Sequence, residues 1–252
     1  MIQIQGLVKD YSSSKRAVDG LDLRVDAGVF FTFLGPNGAG KTTTMKIMAG
    51  LLQPTAGSVA IDGIDVVMDP VAAKKSVGYI PDHPFLYGRL SGWEFLHFIG
   101  GLYGMDPQLV RSRGAELLEV FDLTAVSGHL VDSYSHGMRQ RLAFTACFLH
   151  SPRAVIVDEP WVGLDPRNIR TAIDFMKQEV EKGVTIFMST HSLKIAEDTA
   201  ERVGIIHHGK LLFDGSVDEL RGKSDARDLE DIFLELTDEP ESQESNAAGV
   251  DL

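Results

Sequence analysis

The stretch that decides the fold is Phe30-Phe31-Thr32-Phe33-Leu34-Gly35-Pro36-Asn37-Gly38-Ala39-Gly40-Lys41-Thr42-Thr43-Thr44. It begins with an apolar run, rich in aromatic residues, that predicts a buried strand, and it breaks at a glycine-rich turn. After the turn, apolar residues recur at helical spacing, at Met45, Met48, Ala49 and Leu52. A strand, a glycine-rich loop and a helix are the context that the phosphate-binding pattern G-x-x-x-x-G-K-S/T requires.

This loop has the chemistry of a phosphate site. Its glycines allow positive φ angles and a close approach of the backbone to a ligand, and the amides that begin the next helix attract anions. Lys41 is expected to reach the β- and γ-phosphates of a nucleotide, and the Thr42 hydroxyl to hold Mg²⁺. An ordinary glycine-rich turn is the alternative, but the matching flanks make a chance occurrence rare. The residues predicted to contact the nucleotide are Gly35, Pro36, Asn37, Gly38, Ala39, Gly40, Lys41, Thr42 and Thr43.

The composition of the chain argues against several classes of protein. The net charge is −12, whereas proteins that bind nucleic acid usually show a basic face, so we expect no nucleic-acid partner. Nine of the carboxylates lie in residues 228–252, which contain no Lys or Arg. The single cysteine, Cys147, fits a reducing compartment. The sequence shows no signal-peptide pattern and no apolar run near the ~20 residues of a membrane span, which predicts a soluble protein whose membrane role would need a partner.

Strand and helix patterns alternate along the chain. Residues 2–8 and 17–25 alternate apolar with polar, as half-exposed strands do, on either side of a polar turn that contains Tyr11. From about 85 to 150 the helical period dominates, which indicates a mostly helical insertion. Further strands are predicted at 58–66 (two, joined at a turn), 77–80, 154–157, 184–188, 203–207 and 210–214, with helices near 168–182 and 193–202. Strands that alternate with helices predict a parallel α/β sheet with ligands at the carboxyl ends of its strands.

Two carboxylates, Asp158 and Glu159, end one of the apolar strands. If that strand ends beside the phosphate-binding loop, Asp158 lies near Mg²⁺ and Glu159 faces the γ-phosphate, where it can polarise an attacking water. A solvated pair at a strand end is the alternative. His191 follows the next apolar strand, from which it can bond both the γ-phosphate and Glu159, although lone histidines are commonly structural.

Residues 134–141, Tyr-Ser-His-Gly-Met-Arg-Gln-Arg, begin another predicted helix. On its own the segment is an N-capped turn, because Ser135 is a good cap and the first amides of a helix attract anions. Together with the motifs above, it resembles the ATP-binding subunit of ABC transporters, and the resemblance covers roughly residues 1–220. The form of this segment and of residues 86–92 is most similar to bacterial exporters of the ABC-2 type.

The resemblance implies a role for each matching residue. Residues 35–43 match the Walker A loop, Asp158 and Glu159 the Walker B aspartate and catalytic glutamate, residues 163–165 the D-loop, and His191 the switch histidine. Ser135 and Gly137 match the signature residues that the family aims at the γ-phosphate held by a partner subunit. Tyr11 falls where the family stacks an aromatic ring on adenine; a tyrosine that only belongs to a turn is the alternative.

The resemblance also implies an architecture and partners. The expected fold is a P-loop NTPase (RecA-like) core with an N-terminal antiparallel β subdomain and a helical subdomain inserted at about 85–150, all within an ABC ATPase domain at 1–220. Two subunits, identical or closely related, would close around two ATPs with Mg²⁺ and drive a separate integral-membrane permease from the cytoplasmic face of the cell membrane. Residues 84–90 fall where the family receives a cytoplasmic helix of the permease, with local core packing as the alternative.

The end of the sequence differs in character from the rest. Residues 221–237 predict a C-terminal helical extension. Residues 238–252 lack apolar periodicity and are predicted to form an acidic, disordered tail.

Two positions depart from the family pattern. His136 replaces a glycine of the signature, which permits tighter packing, pH-sensitive coupling or no consequence at all. Asp82 stands where the family has a glutamine that touches Mg²⁺ and relays the state of the nucleotide. Because an aspartate can still contact Mg²⁺ directly or through water, Asp82 remains a predicted metal residue.

Two other functions compete with a transport ATPase. A non-transport ABC ATPase can act as a nucleotide-gated clamp on DNA or ribosomes, but such proteins usually carry two ATP modules or a long coiled-coil insertion, and this chain is acidic with one module. A P-loop kinase for a small molecule would leave residues 134–141 unexplained.

Overall fold

Ten strands form within the part of the chain that this computed structural model describes, namely residues 1–12, 15–161, 163–222 and 229–237. They are β1 (Ile2–Ser12), β2 (Lys15–Val25), β3 (Phe30–Leu34), β4 (Ala56–Ile61), β5 (Ile64–Asp65), β6 (Val77–Ile80), β7 (Ala154–Asp158), β8 (Thr185–Thr190), β9 (Arg202–His207) and β10 (Lys210–Ser216). A large sheet has the order β10-β9-β3-β8-β7-β6, and a small antiparallel sheet has the order β2-β1-β4-β5. In the large sheet only the edge strand β10 is antiparallel to its neighbour.

Nine α-helices accompany these strands over the same residues, together with two short 3-10 helices at Thr124–Val126 and Val131–Ser133. The α-helices are α1 (Lys41–Met48), α2 (Pro70–Ser76), α3 (Gly92–Leu102), α4 (Pro107–Val120), α5 (His136–Leu149), α6 (Pro166–Glu181), α7 (Leu193–Thr199), α8 (Val217–Arg221) and α9 (Leu229–Thr237). Local sequence explains where several begin. Ser91 forms a capping box with Glu94 at α3, and Asp106 and Asp165 cap α4 and α6 ahead of a proline.

The inner strands of the large sheet are buried on both faces, and the two larger apolar clusters that they supply lie on opposite sides of the sheet. A smaller third cluster joins β9 and β10 to α7, α8 and α9. Phe31 and Phe187 stack at 5.0 Å on one face, where α1 and the small sheet pack. Phe30 and Ile186 lie on the other face, against the helical segment α3–α5 and α6. Successive residues thus point to opposite sides, as the pleat of a strand requires, and the helices on both faces fix the position of the β3–α1 loop at the edge of the sheet.

The predicted fold class is confirmed: a parallel-containing α/β core, an antiparallel β part and an inserted run of helices. The polar turn around Tyr11 is shorter than predicted, because β1 extends to Ser12 and an ion pair of 2.9 Å between Arg16 and Asp10 ties the two strands together. Tyr11 therefore lies on a strand.

Two helices were not anticipated at their positions. Apolar periodicity does not predict α2, because this helix buries one residue alone, Ala73, and so lacks an apolar stripe. The C-terminal helical extension begins with α8 at Val217 and includes α9, while the tail prediction at 238–252 lies outside the described residues. The boundaries of the domains stay a prediction.

His150, at the end of α5, makes the stability of this fold depend on pH. Its ring stacks on Tyr103 at 3.7 Å, and burial lowers the pKa of His150 to about 4. The imidazole of His150 is therefore protonated near pH 6.5 in the unfolded chain but only at a lower pH in the folded state. The stabilisation is complete above pH 6.5 and is lost as the pH falls from 6.5 toward 4.

We predict that His150→Phe, which keeps an aromatic ring for the stack, reduces the loss of unfolding free energy between pH 6.5 and 4 by about 1–3 kcal/mol. Urea unfolding at several pH values measures this difference. Exposed His129→Gln is the control and should follow the wild-type profile. Parallel profiles for wild type and His150→Phe would contradict the prediction.

Candidate functional site

The loop between β3 and α1 holds a lysine ammonium at its centre. Lys41 is 5% exposed, and its Nζ donates to the carbonyl oxygens of Gly35 at 2.7 Å and Pro36 at 3.2 Å. The same Nζ lies 3.2 Å from Oε1 of Glu159. The loop thus curls around its own lysine, and the charge is held where an anion bound by the loop amides would meet it.

Glycine is required at two points of this loop. Gly40 caps α1 with φ of 112°, and a Cβ there would collide with the carbonyl oxygen of Ala17. A Cβ at Gly35 would collide with the carbonyl oxygen of Ile206 on β9. The backbones of β2 and β9 therefore pack directly against the loop, and only glycine leaves room for this close approach.

A cleft of about 310 Å³ opens over the loop, and we call it the central cleft. Its walls are Tyr11, Lys15, Ala17, Asn37, Gly38, Gly40, Lys41, Thr42, Thr43, Asp82, Asp158 and Glu159. Gly35, Pro36 and Ala39 lie beneath the surface of the loop rather than in the wall; Gly35 and Pro36 serve through their carbonyls, and Ala39 accepts from the amide of Gly209.

One end of the central cleft carries Tyr11. Its ring is half exposed, and its Oη lies 3.3 Å from Thr43 Oγ1, which places the ring beside the start of α1. Lys15 and Ala17, two residues apart on β2, continue this wall. An aromatic face with small and cationic neighbours is suited to a nucleoside that stacks and leads into its phosphates.

Asp158 lies at the other end, on the last residue of β7. The carboxylate is 1% exposed, and its Oδ1 accepts from Ser189 Oγ at 2.8 Å and from Thr42 Oγ1 at 3.2 Å. Burial raises the pKa of Asp158; the two hydroxyls act against that rise, and the charges of Asp82 and Glu159 add to it. The negative charges of Asp82 and Glu159 thus add to that of Asp158, and this excess negative charge favours a cation beside Asp158.

Glu159 bridges two predicted partners. Its Oε1 pairs with Lys41, and its Oε2 lies 2.9 Å from Nδ1 of His191. The backbone of Glu159 has φ of 44°, a left-handed value that non-glycine residues seldom adopt and that is found at functional sites. His191 thus reaches the cleft through Glu159, without lining it itself.

The residues present fit Mg²⁺. Thr42, Asp158 and Asp82 offer oxygen atoms within one wall, and Oδ2 of Asp158 is buried with no hydrogen-bond partner in the described part of the chain. No cluster of three or more His, Cys, Asp or Glu suited to a metal forms among the described residues. Mg²⁺ binds through one or two carboxylates plus waters and phosphates, so it does not need such a cluster. Asp82 is held by His83, whose amide donates to it at 2.8 Å.

Ser135 and Gly137 lie apart from this cleft, at the N-terminus of α5. Ser135 caps the helix by accepting from the amide of Met138, and neither residue lines the central cleft. Gly137 packs on the backbone of Gly163, and the ring of His136 packs on Gly163 as well. The segment predicted as signature therefore contacts the segment predicted as D-loop within one chain.

Three residues of the site escaped sequence reasoning, namely Tyr79, Ser189 and Lys15. Ser189 and Tyr79 lie beside Asp158 because β8 and β6 flank β7. Burial, the nearby charges of Asp158 and Asp82 and a contact with Asp158 raise the pKa of the Tyr79 hydroxyl, so it stays a donor. The signal available in the sequence was position, since Tyr79 and Ser189 are each the next-to-last residue of an apolar strand.

Comparison with known proteins decides the family. The model of the ABC transporter family matches residues 18–162. The daunorubicin resistance ATP-binding protein DrrA3 of Streptomyces coeruleorubidus is 36% identical over 93% of this chain and 74% of its own length.

This chain belongs to the ABC transporter family. A solved structure of an ATP-binding subunit of an ABC transporter superposes with a TM-score of 0.88 at 31% identity, over 94% of this chain and 99% of that one. The dimeric bacterial ABC transporter cassette MJ0796 superposes with a TM-score of 0.78 at 25% identity, over 86% of this chain and 99% of the cassette. The predicted family and activity are thereby confirmed: the protein is an ATP-binding, ATP-hydrolysing subunit of an ABC transporter. Neither the family model nor these relatives support a clamp on DNA or ribosomes.

The buried charge of Asp158 yields a prediction about stability. Because its pKa is raised in the folded state, ionising this carboxylate costs the nucleotide-free fold more free energy than it costs the unfolded chain. Asp158→Asn removes the charge and keeps the acceptor for Ser189. We expect the Tm to rise by about 2–4 °C in EDTA, as for a gain near 1 kcal/mol in a chain of this length, and ATP hydrolysis to be lost.

Calorimetry and a phosphate-release assay check the two effects. Asp174→Asn, an exposed carboxylate on α6, is the control, and its Tm should stay within about 1 °C of wild type. A lower Tm for Asp158→Asn than for wild type would contradict the electrostatic explanation.

Proposed function

We propose that this chain powers export through a separate membrane permease, by closing with a second copy or a close paralogue around two ATPs. The observation that carries the proposal is that one cleft is lined by the glycine-rich loop, Asp158 and Glu159, the last bonded to His191, while Ser135 and Gly137 lie outside it. A partner subunit is therefore needed to bring a signature segment onto the nucleotide.

Six side chains that line the cleft have a task in this proposal, five in nucleotide or metal binding and one in catalysis. Lys41 and the loop amides bind the phosphates, and Tyr11 stacks on adenine. Thr42 and Asp158, with Asp82, hold Mg²⁺, which when bound neutralises charge on the β- and γ-phosphates. Glu159 accepts hydrogen bonds from the attacking water and polarises it.

His191 and Lys41 keep Glu159 in place for that task. Each contacts a different oxygen of the carboxylate, at 2.9 and 3.2 Å, so the carboxylate cannot rotate without losing one contact. When the γ-phosphate engages Lys41, the Lys41–Glu159 pair weakens and the carboxylate becomes free to bond the water. Nucleotide binding would thus activate its own base.

A second cavity, of about 180 Å³, is the proposed seat of the permease. It lies between the edge strand β6 and helices α3 and α5, and its lining includes Gly78, Phe85, Phe95, Ile99, Tyr103 and Cys147. Phe85 is 87% exposed and packs edge-on against Tyr87 at 6.2 Å, and Phe98 and Leu102 on α3 are exposed too. An apolar groove with an aromatic rim suits the face of a short helix.

The permease would be an integral-membrane protein with its own spans. Among the described residues, no helix has the length and apolar character needed to cross a bilayer. We place the protein on the cytoplasmic side of the cell membrane, held there through the groove. Export is favoured because the relative cited above is named for drug resistance and because the signature form is that of ABC-2 exporters.

Glu159→Gln tests the catalytic assignment. The amide keeps the shape but does not polarise water, so we expect hydrolysis to fall by about 100-fold or more while ATP binding is retained. The variant should also accumulate as an ATP-bound dimer, which sedimentation velocity detects as a shift in mass on addition of ATP. Glu181→Gln, on the exposed end of α6, should hydrolyse ATP like wild type. Normal turnover in Glu159→Gln would remove Glu159 from the mechanism.

Phe85→Ser tests the docking groove. The substitution removes an exposed apolar anchor, so we expect at least a several-fold drop in the amount of permease recovered with the tagged subunit. Met68→Ser, at a similarly exposed apolar residue just before α2, is the control. Equal recovery of permease with both variants, at unchanged Tm, would exclude the groove as the contact.

A further inference from the structure

The carboxylate of Asp158 is flanked by two hydroxyls that belong to none of the motifs. Asp158 ends β7, which is hydrogen-bonded to β8 on one side and to β6 on the other. Asp158 is paired in register with Ser189 of β8, and Tyr79 of β6 with Ile156, two residues before Asp158. In a strand, residues i and i+2 share a face, so Tyr79 and Asp158 are on the same side of the sheet.

Ser189 fixes one oxygen of this carboxylate. Its side chain is fully buried, and Oγ donates to Asp158 Oδ1 at 2.8 Å, shorter than the 3.2 Å contact from Thr42 to the same atom. Thr42 is the residue expected to turn toward Mg²⁺. Ser189 then remains as the donor that holds Oδ1 in orientation.

Tyr79 accounts for the other oxygen. Asp158 Oδ2 and Tyr79 Oη are both buried, and within the described ranges neither has a hydrogen-bond partner. The phenol lies close enough to the carboxylate for the charge of Asp158 to act on it. One atom is an acceptor and the other a donor, so a hydrogen bond between them, direct or through one water, satisfies two groups whose isolation is unfavourable.

We propose that Tyr79 and Ser189 are positioning residues for Asp158, which they orient as a ligand for the metal of the nucleotide complex. This inference rests on the proposed function. The two donors come from the two strands beside β7, so the sheet itself sets the direction of the carboxylate. Outer-shell partners of this kind govern metal affinity as well as orientation, which separates this role from one in packing alone.

The test measures metal affinity directly, with Mn²⁺ as the probe. Electron paramagnetic resonance counts free Mn²⁺ during titration of the protein with a non-hydrolysable ATP analogue. We expect Tyr79→Phe and Ser189→Ala each to weaken Mn²⁺ binding about 10-fold. Because both act on one carboxylate, the double variant should lose less than the product of the two effects. Affinity for the analogue in EDTA should stay within about 2-fold of wild type, since neither residue lines the central cleft.

Two controls make the result specific. Thr145→Val removes a buried hydroxyl on α5 that donates to the carbonyl oxygen of Arg141 and not to Asp158, and this variant should bind Mn²⁺ like wild type. Ser189→Thr keeps the hydroxyl and should retain most of the affinity that Ser189→Ala loses. If Tyr79→Phe does not fold, the comparison of Ser189→Ala with Ser189→Thr by itself tests whether a hydroxyl positions Asp158.

The outcomes that overturn the inference differ from those that overturn the proposed function. Wild-type Mn²⁺ affinity in both Tyr79→Phe and Ser189→Ala would show that the hydroxyls do not position Asp158, and so would equal losses in Ser189→Thr and Ser189→Ala. A wild-type protein that binds no Mn²⁺ together with the ATP analogue would instead refute the proposed site itself.

Discussion

Parallel pairing of strands is the constraint on which this molecule depends. Strands β3, β6, β7 and β8 run in the same direction, so their carboxyl ends meet at one edge of the sheet. The glycine-rich loop follows the first of these strands and Asp82 the second. Asp158 ends the third, Glu159 follows it, and His191 follows the last. Residues far apart in sequence therefore share one cleft, and their hydrogen bonds to one another are a consequence of topology.

The site is held in an arrangement that its own residues do not favour. Glu159 adopts a left-handed backbone conformation, and Asp158 is buried near two other carboxylates. Such strain and charge persist because the apolar strands behind them are buried on both faces. A bound cation would offset the negative charge of Asp158, and bound phosphates would pair with the ammonium of Lys41. Ligand binding therefore stabilises the folded state at the site that is least stable without it.

The sequence made part of this predictable. Local spacing alone predicts the loop at 35–43, the pair Asp158–Glu159 and the alternation of strands with helices. The fold class follows from these three features. The roles of Ser189 and Tyr79 could not be predicted in this way, because they depend on which strands lie beside β7. Local sequence patterns do not determine the order of strands in a sheet. The length of the β1–β2 hairpin was missed for a related reason: the ion pair of Arg16 with Asp10 extends strands whose residues there are polar.

The central claim is that this ATPase subunit works on a membrane permease, and the most direct measurement is to purify the tagged protein gently, in mild detergent, from its native cells and identify what accompanies it. The account predicts an integral-membrane protein with several apolar spans, in stoichiometric amount, whose presence changes the rate of ATP hydrolysis. Recovery of ribosomal proteins or DNA, with no membrane protein, would contradict it.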